Sequence, residues 1–255
     1  MMMFWIKKIH KWASLLIGLQ VLIWIISGLV FNVIDHDKAR GNTYKQATET
    51  TTVAPLLMSE MNLIPVETIL NTYPDVIELK SIQLLSSPFY LLTKEQGLYR
   101  HFANSYQLVN AVTGELTVID ESFALSIAKA SYNGPGNVSS VTLLSKNILL
   151  TENIADFPKQ KNPSWQVNFD DELSTSVYVE QGSGRLIDHS NSDKRFADFF
   201  FMLHFMDYGK AGNFNNLQII LFAFVTLWLT LSGFICSARA NILINVGLKN
   251  RVNLS

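Results

Sequence analysis

Two long uncharged stretches near the ends of the chain dominate its hydrophobic pattern. Residues 12–34 (WASLLIGLQVLIWIISGLVFNVI) are 23 residues without a charge, and residues 217–236 (LQIILFAFVTLWLTLSGFIC) are another 20. As helices rising 1.5 Å per residue they span about 35 and 30 Å, which is enough to cross a hydrocarbon core of about 30 Å. Uncharged runs of this length are rare in soluble cores, so the pattern predicts two transmembrane helices.

The first stretch shares the basic start of a secretory signal peptide, with Lys7, Lys8 and Lys11 ahead of it. Its apolar run is longer than the roughly 7–15 residues of a signal-peptide core, and no small-residue cleavage motif follows. We therefore expect a retained membrane anchor rather than a cleaved leader.

Between the two stretches, hydrophobic positions recur first at helical and then at strand-like spacing, and this order occurs twice. A short helix is predicted at 66–73 after Pro65, and a second at 121–132. Strand-like runs follow at 77–85, 89–93, 106–112 and 116–119 in the first half, and at 138–144, 164–169, 174–180 and 185–188 in the second. The closing segments, NAVTGELTVID and EQGSGRLIDHS, align at their glycines. We therefore expect an α+β fold with an internal duplication, in which each unit places a helix on a small antiparallel sheet.

These patterns divide the chain into consecutive segments. They are an N-terminal segment at 1–11, a transmembrane helix at 12–34, a linker at 35–59, α+β units at 60–120 and 121–191, an interfacial helix and loop at 192–216, a transmembrane helix at 217–236 and a tail at 237–255.

The charges of the chain indicate its orientation in the membrane, and its composition excludes several classes of partner. Basic residues precede the first apolar helix and follow the second, at positions 7, 8, 11, 239, 249 and 251, so we expect both termini in the cytoplasm and residues 35–216 exported across an inner (plasma) membrane. Twenty Lys and Arg against 21 Asp and Glu give a net charge of −1, which argues against nucleic acid as a partner. The single cysteine, Cys236, excludes a disulfide within the chain and a cysteine-built zinc site.

Four segments carry family-like motifs. They are KKIHKWASLLIGLQVLIWIISGLVF at the first apolar stretch, ASY with NAVTGELTVID in the middle, SWQVNFDDELSTSVYVEQGSGRLI in the second unit, and RFADFFFMLHFMDYGKAGNFNNLQ before the second apolar stretch. Together they resemble the PepSY family, specifically its membrane-anchored members with PepSY-associated transmembrane helices; FMLHFMDY followed by FNN is the most specific match. The resemblance implies a link to iron or siderophore reduction or to flavin reductase modules, and the family's soluble module is associated with inhibition of secreted peptidases.

Histidines in these motifs supply candidate ligands. His10 lies in IHKW and His204 in MLHFMD, and an ionisable group near a membrane face is a functional candidate. Some related multi-span members resemble haem carriers, so the resemblance implies His204, His10 and His36 as ligands of haem b, with Asp207 (or Asp198) orienting the ring of His204. For either aspartate, an N-cap or a salt bridge to a nearby lysine or arginine is the alternative. We expect the other two histidines, at 101 and 189, at the surface.

The distances between these histidines limit which of them can bind the same iron. His10 and His36 lie 26 residues apart along the first helix, or roughly 39 Å, and His204 belongs to the exported side. One chain therefore cannot bring His10 and His204 to the same iron, whereas His36 and His204 could approach each other. A haem at the inner face implies a dimer or a membrane redox partner.

Small and polar residues form one face of each apolar helix. On the first helix the stripe is His10, Ser14, Gly18, Val21, Ile25, Gly28 and Asn32, and on the second it is Gln218, Phe222, Thr226, Thr230, Gly233 and Ser237. Small residues allow close approach and polar ones bond across, so we expect the helices to pack together in the lipid bilayer or against copies in a homo-oligomer.

Three functions remain open from the sequence. The chain is an accessory or electron-transfer component of an iron- or flavin-linked membrane redox system, an exported module that binds or inhibits a protein such as a peptidase, or a structural subunit of a membrane complex. The sequence contains no P-loop, G-x-G-x-x-G, HExxH or nucleophile elbow, so we expect no independent enzyme.

Overall fold

A computed structural model of the 255-residue chain describes residues 2–46, 54–55, 62–95, 104–144, 162–207 and 217–252. The chain forms a helical unit of Met1–Val33 with Phe199–Ser255, and an α+β unit of Ile34–Asp198. In chain order the elements are α1 (Met2–Val33), α2 (His36–Ala39), β1 (Ala54–Pro55), α3 (Val66–Thr72), β2 (Glu78–Leu84), β3 (Ser87–Glu95), β4 (Ser105–Asn110), β5 (Leu116–Thr117), α4 (Glu121–Ser131), β6 (Val138–Leu144), β7 (Ser164–Phe169), β8 (Ser176–Glu180), β9 (Leu186–Ser190), α5 (Ser192–His204) and α6 (Leu217–Val252).

The two long apolar helices are α1 and α6. Their segments Lys8–Val33 and Leu217–Arg239 each have a mean hydropathy of 2.3 and are long and apolar enough to cross a membrane. Only 17% and 12% of these segments are buried within the structure, whereas the core helix of a soluble protein is mostly buried. The helices run antiparallel, because His10 contacts Ser232 while Trp24 contacts Phe222.

The contact face of α1 differs from the predicted stripe. Gln20 and Ser27 are buried, whereas Val21 and Ile25 of the predicted stripe are 40% and 56% exposed. A Cβ atom placed on Gly18 would meet nothing within 4 Å. The buried positions of α1 include the apolar Ile17 as well as Gln20 and Ser27, and of the predicted stripe His10 does contact Ser232 of α6.

The α+β unit contains two antiparallel sheets whose strands follow the order of the sequence. The first holds β1 to β5 and the second β6 to β9. Helix α3 covers one face of the first sheet, where Ile69 packs with Tyr90, Leu92 and Val109. The other face shares a core with α4 and the second sheet, built from Ile82, Leu84, Leu91, Leu108, Ile119, Ala124, Ile127, Val167, Val177 and Val179.

The predicted duplication has a structural counterpart in the two glycine turns. After β4, the amide of Asn110 donates to the carbonyl of Glu115 and the amide of Gly114 donates back to Asn110, both at 2.9 Å. After β8, Glu180, Arg185 and Gly184 make the same two bonds at 2.9 Å. Gly114 and Gly184 have φ of +74° and +66°, a conformation that glycine adopts without strain.

The buried face of α4 is Ala124, Ile127, Ala128 and Ser131, and Phe123 packs partly buried against the same core. His189, expected at the surface, is only 2% exposed, because it lies on β9 facing α4. His101 lies outside the described residues.

Candidate functional site

The C-terminal end of α5 is held by polar side chains of α1. The last carbonyls of a helix lack intrahelical partners, and here Gln20 Nε2 donates to the carbonyl of Leu203 at 3.3 Å while Trp24 Nε1 donates to that of His204 at 2.6 Å. The imidazole Nδ1 of His204 lies 2.8 Å from Ser27 Oγ. Three positions on successive turns of α1 thus fix one end of α5.

The contact with Ser27 places His204 beside a middle turn of α1. An interfacial helix is expected to lie instead at the C-terminal end of α1. Ser27 lies six residues before Val33, which is about 9 Å along the helix axis. The helix end tolerates this position because Gln20 and Trp24 satisfy its carbonyls in place of water.

Aromatic rings surround the imidazole of His204. The ring centroids of Phe205, Phe31 and Trp24 lie 5.1, 5.6 and 6.3 Å from its own. The Phe contacts are edge-to-face, at interplanar angles of 71° and 70°. The imidazole therefore has an apolar surround with one hydroxyl at Nδ1.

A second histidine–serine pair joins α1 to α6. His10 Nδ1 lies 2.9 Å from Ser232 Oγ, and the ring of Trp228 lies 6.4 Å from the imidazole. A Cβ atom on Gly233 would lie 3.7 Å from His10 Cε1, an ordinary van der Waals distance, so this glycine lies beside the ring. His10 and Ser27 are 17 residues apart on α1, or about 26 Å, so the two pairs are separate sites, as expected from the sequence.

Each serine hydroxyl lies within hydrogen-bond distance of a carbonyl one turn earlier on its own helix as well as of the imidazole. Ser27 Oγ lies 2.7 Å from the carbonyl of Ile23, and Ser232 Oγ lies 2.9 Å from that of Leu229. When the hydroxyl donates to its carbonyl, the oxygen accepts from Nδ1–H and the lone pair of a neutral imidazole resides on Nε2. Nε2 of neither ring makes a hydrogen bond to another described residue.

The remaining candidates of the sequence lie elsewhere. His36 is exposed at the start of α2 in the α+β unit, without a hydroxyl partner on its ring among the described residues. The expectation that Asp207 or Asp198 orients the ring of His204 through Nδ1 is wrong, because Ser27 occupies that position. Asp198 instead pairs with Lys194 at 2.8 Å, the alternative weighed for it.

Sequence reasoning missed the partners of the two histidines. It placed Gly28 and Gly233 on the small-residue stripes, but gave no role to the neighbouring hydroxyls of Ser27 and Ser232 or to Gln20 and Trp24. A buried glutamine and a tryptophan N–H within an apolar helix are polar groups that need partners, and this is the signal that could have found them.

The acidic turn between β7 and β8 serves the fold. Asp171 accepts from the hydroxyl of Tyr132 at 2.7 Å and from the amides of Leu173 and Thr175, while Glu172 accepts from Tyr44 at 2.7 Å. Burial, with a smaller effect of Asp171, raises the pKa of Tyr132 to about 12, so its hydroxyl stays a donor at all physiological pH values.

Comparison of the chain with family models, curated proteins and solved structures gives no match. The resemblance to the PepSY family therefore rests on the sequence motifs alone.

Proposed function

We propose that this chain is a PepSY-type inner-membrane protein and an accessory or electron-transfer component of an iron- or flavin-linked redox system, with His204 and His10 as ligands of haem b. One observation carries the proposal: each imidazole is held at Nδ1 by a serine hydroxyl, and its Nε2 makes no hydrogen bond to another described residue. This is the arrangement in which histidine ligates iron, with the other ring nitrogen bound to an orienting group.

The residues around each histidine suit such a role. Haem bound at Nε2 supplies one-electron transfer at a potential that its ligands and surroundings set. Ser27 and Ser232 hold the rings in orientation, and Trp24 and Phe31 keep water from the ring of His204. Each pair offers one histidine, so a second copy of the chain or a membrane redox partner would supply any second axial ligand. In this proposal both termini are cytoplasmic and the α+β unit is exported.

The visible absorption spectrum of the full-length protein, purified in detergent from cells supplied with a haem precursor, tests the proposal. We expect a Soret band and, in the reduced protein, an α-band. His204→Ala and His10→Ala each remove part of the bound haem, whereas His36→Ala, which removes an exposed histidine, leaves most of it. A protein without a Soret band, or a double variant of His10 and His204 that keeps its haem, overturns the assignment.

A further inference from the structure

A cleft of about 180 Å³ opens in the α+β unit where the first sheet meets the turn after β8. It stands apart from the histidine sites and from the haem proposal. Its polar lining consists of Glu78, Lys80, Thr93, Tyr106, Glu180, Ser183 and Arg185. The cleft lies at the end of the main core, because Lys80 and Thr93 continue the strands that contribute Ile82 and Leu91 to that core.

The duplicated turn shows that its geometry does not require these charges. In the first copy, Asn110 occupies the position of Glu180, and its side chain simply accepts the amides of Val112 at 2.8 Å and Thr113 at 3.1 Å. Both copies make the same backbone bonds. The turn therefore does not need a glutamate and an arginine at positions 180 and 185 in order to form.

Glu180 is fully buried, although burying a carboxylate costs several kcal/mol unless it is compensated. Its carboxylate accepts from Asn162 Nδ2 at 2.7 Å and from Ser183 Oγ, and Arg185 Nε lies 3.8 Å away. The carboxylate of Glu180 thus pairs with the Nε atom of the Arg185 guanidinium. The two terminal nitrogens of Arg185 make no hydrogen bond to another described residue, and its side chain is 49% exposed.

The cleft offers hydrogen-bond donors beside its two carboxylates, Glu78 and Glu180, each of which pairs with a neighbouring cation. The hydroxyl of Thr93 has no hydrogen-bond partner among the described residues, and that of Tyr106 accepts from Asn104 Nδ2 at 2.9 Å, which leaves its proton to donate. Lys80 lies at the rim, where its ammonium pairs with Glu78 at 3.0 Å. A planar guanidinium with free terminal nitrogens matches a carboxylate in two parallel bonds.

The volume restricts the size of the ligand. Pockets for drug-sized molecules measure about 300–1,000 Å³, so a cleft of about 180 Å³ takes one end of a chain or a small acid. We propose that this cleft binds a carboxylate through Arg185, with Thr93 and Tyr106 as further donors; the carboxylate comes from the C-terminus of a peptide or from a small organic acid.

Calorimetric titration of the full-length protein in detergent, with three probes, tests the proposal. The probes are tri-alanine with a free carboxylate, the same peptide as its amide, and acetate. We expect saturable binding of tri-alanine and roughly 10- to 100-fold weaker binding of its amide, which corresponds to the loss of charged hydrogen bonds. Acetate that binds as tightly as tri-alanine identifies a small acid as the source, and tighter binding of tri-alanine identifies a peptide end.

Substitutions of Arg185 test whether this residue binds the carboxylate. Arg185→Gln is expected to weaken tri-alanine binding by roughly 10- to 100-fold, and Arg185→Lys, which keeps the charge but loses the fork, to weaken it less. Arg40→Gln is the matched control, because it removes an exposed arginine at the end of α2 in the same unit. Equal binding of acid and amide, unchanged binding in Arg185→Gln, or no saturable binding of any probe overturns the proposal.

Discussion

Acid should destabilise the α+β unit through one buried histidine. His189 Nε2 lies 2.9 Å from Ser131 Oγ, and Nδ1 is buried without a hydrogen-bond partner in the part of the chain that the structure describes. Burial, with a smaller contribution from the charge of Lys45, lowers the pKa of His189 from 6.5 to about 4. The folded unit therefore holds this imidazole in its neutral form.

The magnitude follows from the difference between the two pKa values. The unfolded chain takes up a proton at about 6.5 and the folded unit only at about 4, so folding gains stability above pH 6.5 and loses it as the pH falls towards 4. At about 1.4 kcal/mol per pH unit the whole effect is about 3.5 kcal/mol, and about 2.5 kcal/mol of it is lost by pH 4.5.

Neighbouring charges also titrate, so the prediction concerns a difference between variants. Burial raises the pKa of Asp188 against the opposing effect of Lys194. A carboxyl with a raised pKa gains relative stability as the pH falls, which is opposite in sign to the effect of His189. Substituting His189→Gln removes the histidine titration, leaves that of Asp188 and keeps a side chain able to bond Ser131.

Amide hydrogen exchange of β8 in the full-length protein, corrected for the intrinsic pH dependence of exchange, measures this difference. Between pH 7.5 and 4.5 the opening free energy of the native protein should fall about 2.5 kcal/mol further than that of His189→Gln, roughly a 70-fold change in the opening constant. His36→Gln, which removes an exposed histidine, should behave as the native protein does. If His189→Gln retains the full pH dependence, the reasoning from burial is refuted.

Three further substitutions test single contacts. Asp120→Ala removes the N-cap of α4, so thermal unfolding should show a loss of about 1 kcal/mol; an unchanged midpoint contradicts the cap. Gly184→Ala combines a φ of +66° with a Cβ atom 2.8 Å from Leu84 Cδ1, and a loss of more than about 1 kcal/mol is expected in the same assay. Trp24→Phe removes the donor to the His204 carbonyl while keeping an aromatic ring, so proteolysis after α5 should become faster than in the native protein, and equal rates would show that the bond contributes little.

Periodicity predicts much of the α+β unit because its elements are local and well marked. Strands β6 and β7 begin and end where their apolar runs do, and α4 begins after the capping Asp120. The burial of His189 has no comparable signal in the sequence. The strand Leu186–Ser190 holds only two apolar residues, and Ser131, which His189 contacts, lies 58 positions away.

The candidate site was predicted only as separate residues. Both His10 and His204 were identified, but the hydroxyls that contact their Nδ1 atoms lie 222 and 177 positions away in sequence. Such pairings depend on how α1 meets α5 and α6, which hydropathy does not encode. The face of α1 was predicted only in part for the same reason, because its buried positions are Ile17, Gln20 and Ser27 rather than the glycines.

The two histidine–serine pairs also set the axial position of α1 relative to its neighbouring helices. They clamp α1 at points about 26 Å apart, one onto α6 and the other onto the end of α5. A slide of α1 by one helical turn, about 5.4 Å, would exceed the reach of both hydrogen bonds at once. The two pairs therefore fix the axial position of α1 against both α5 and α6.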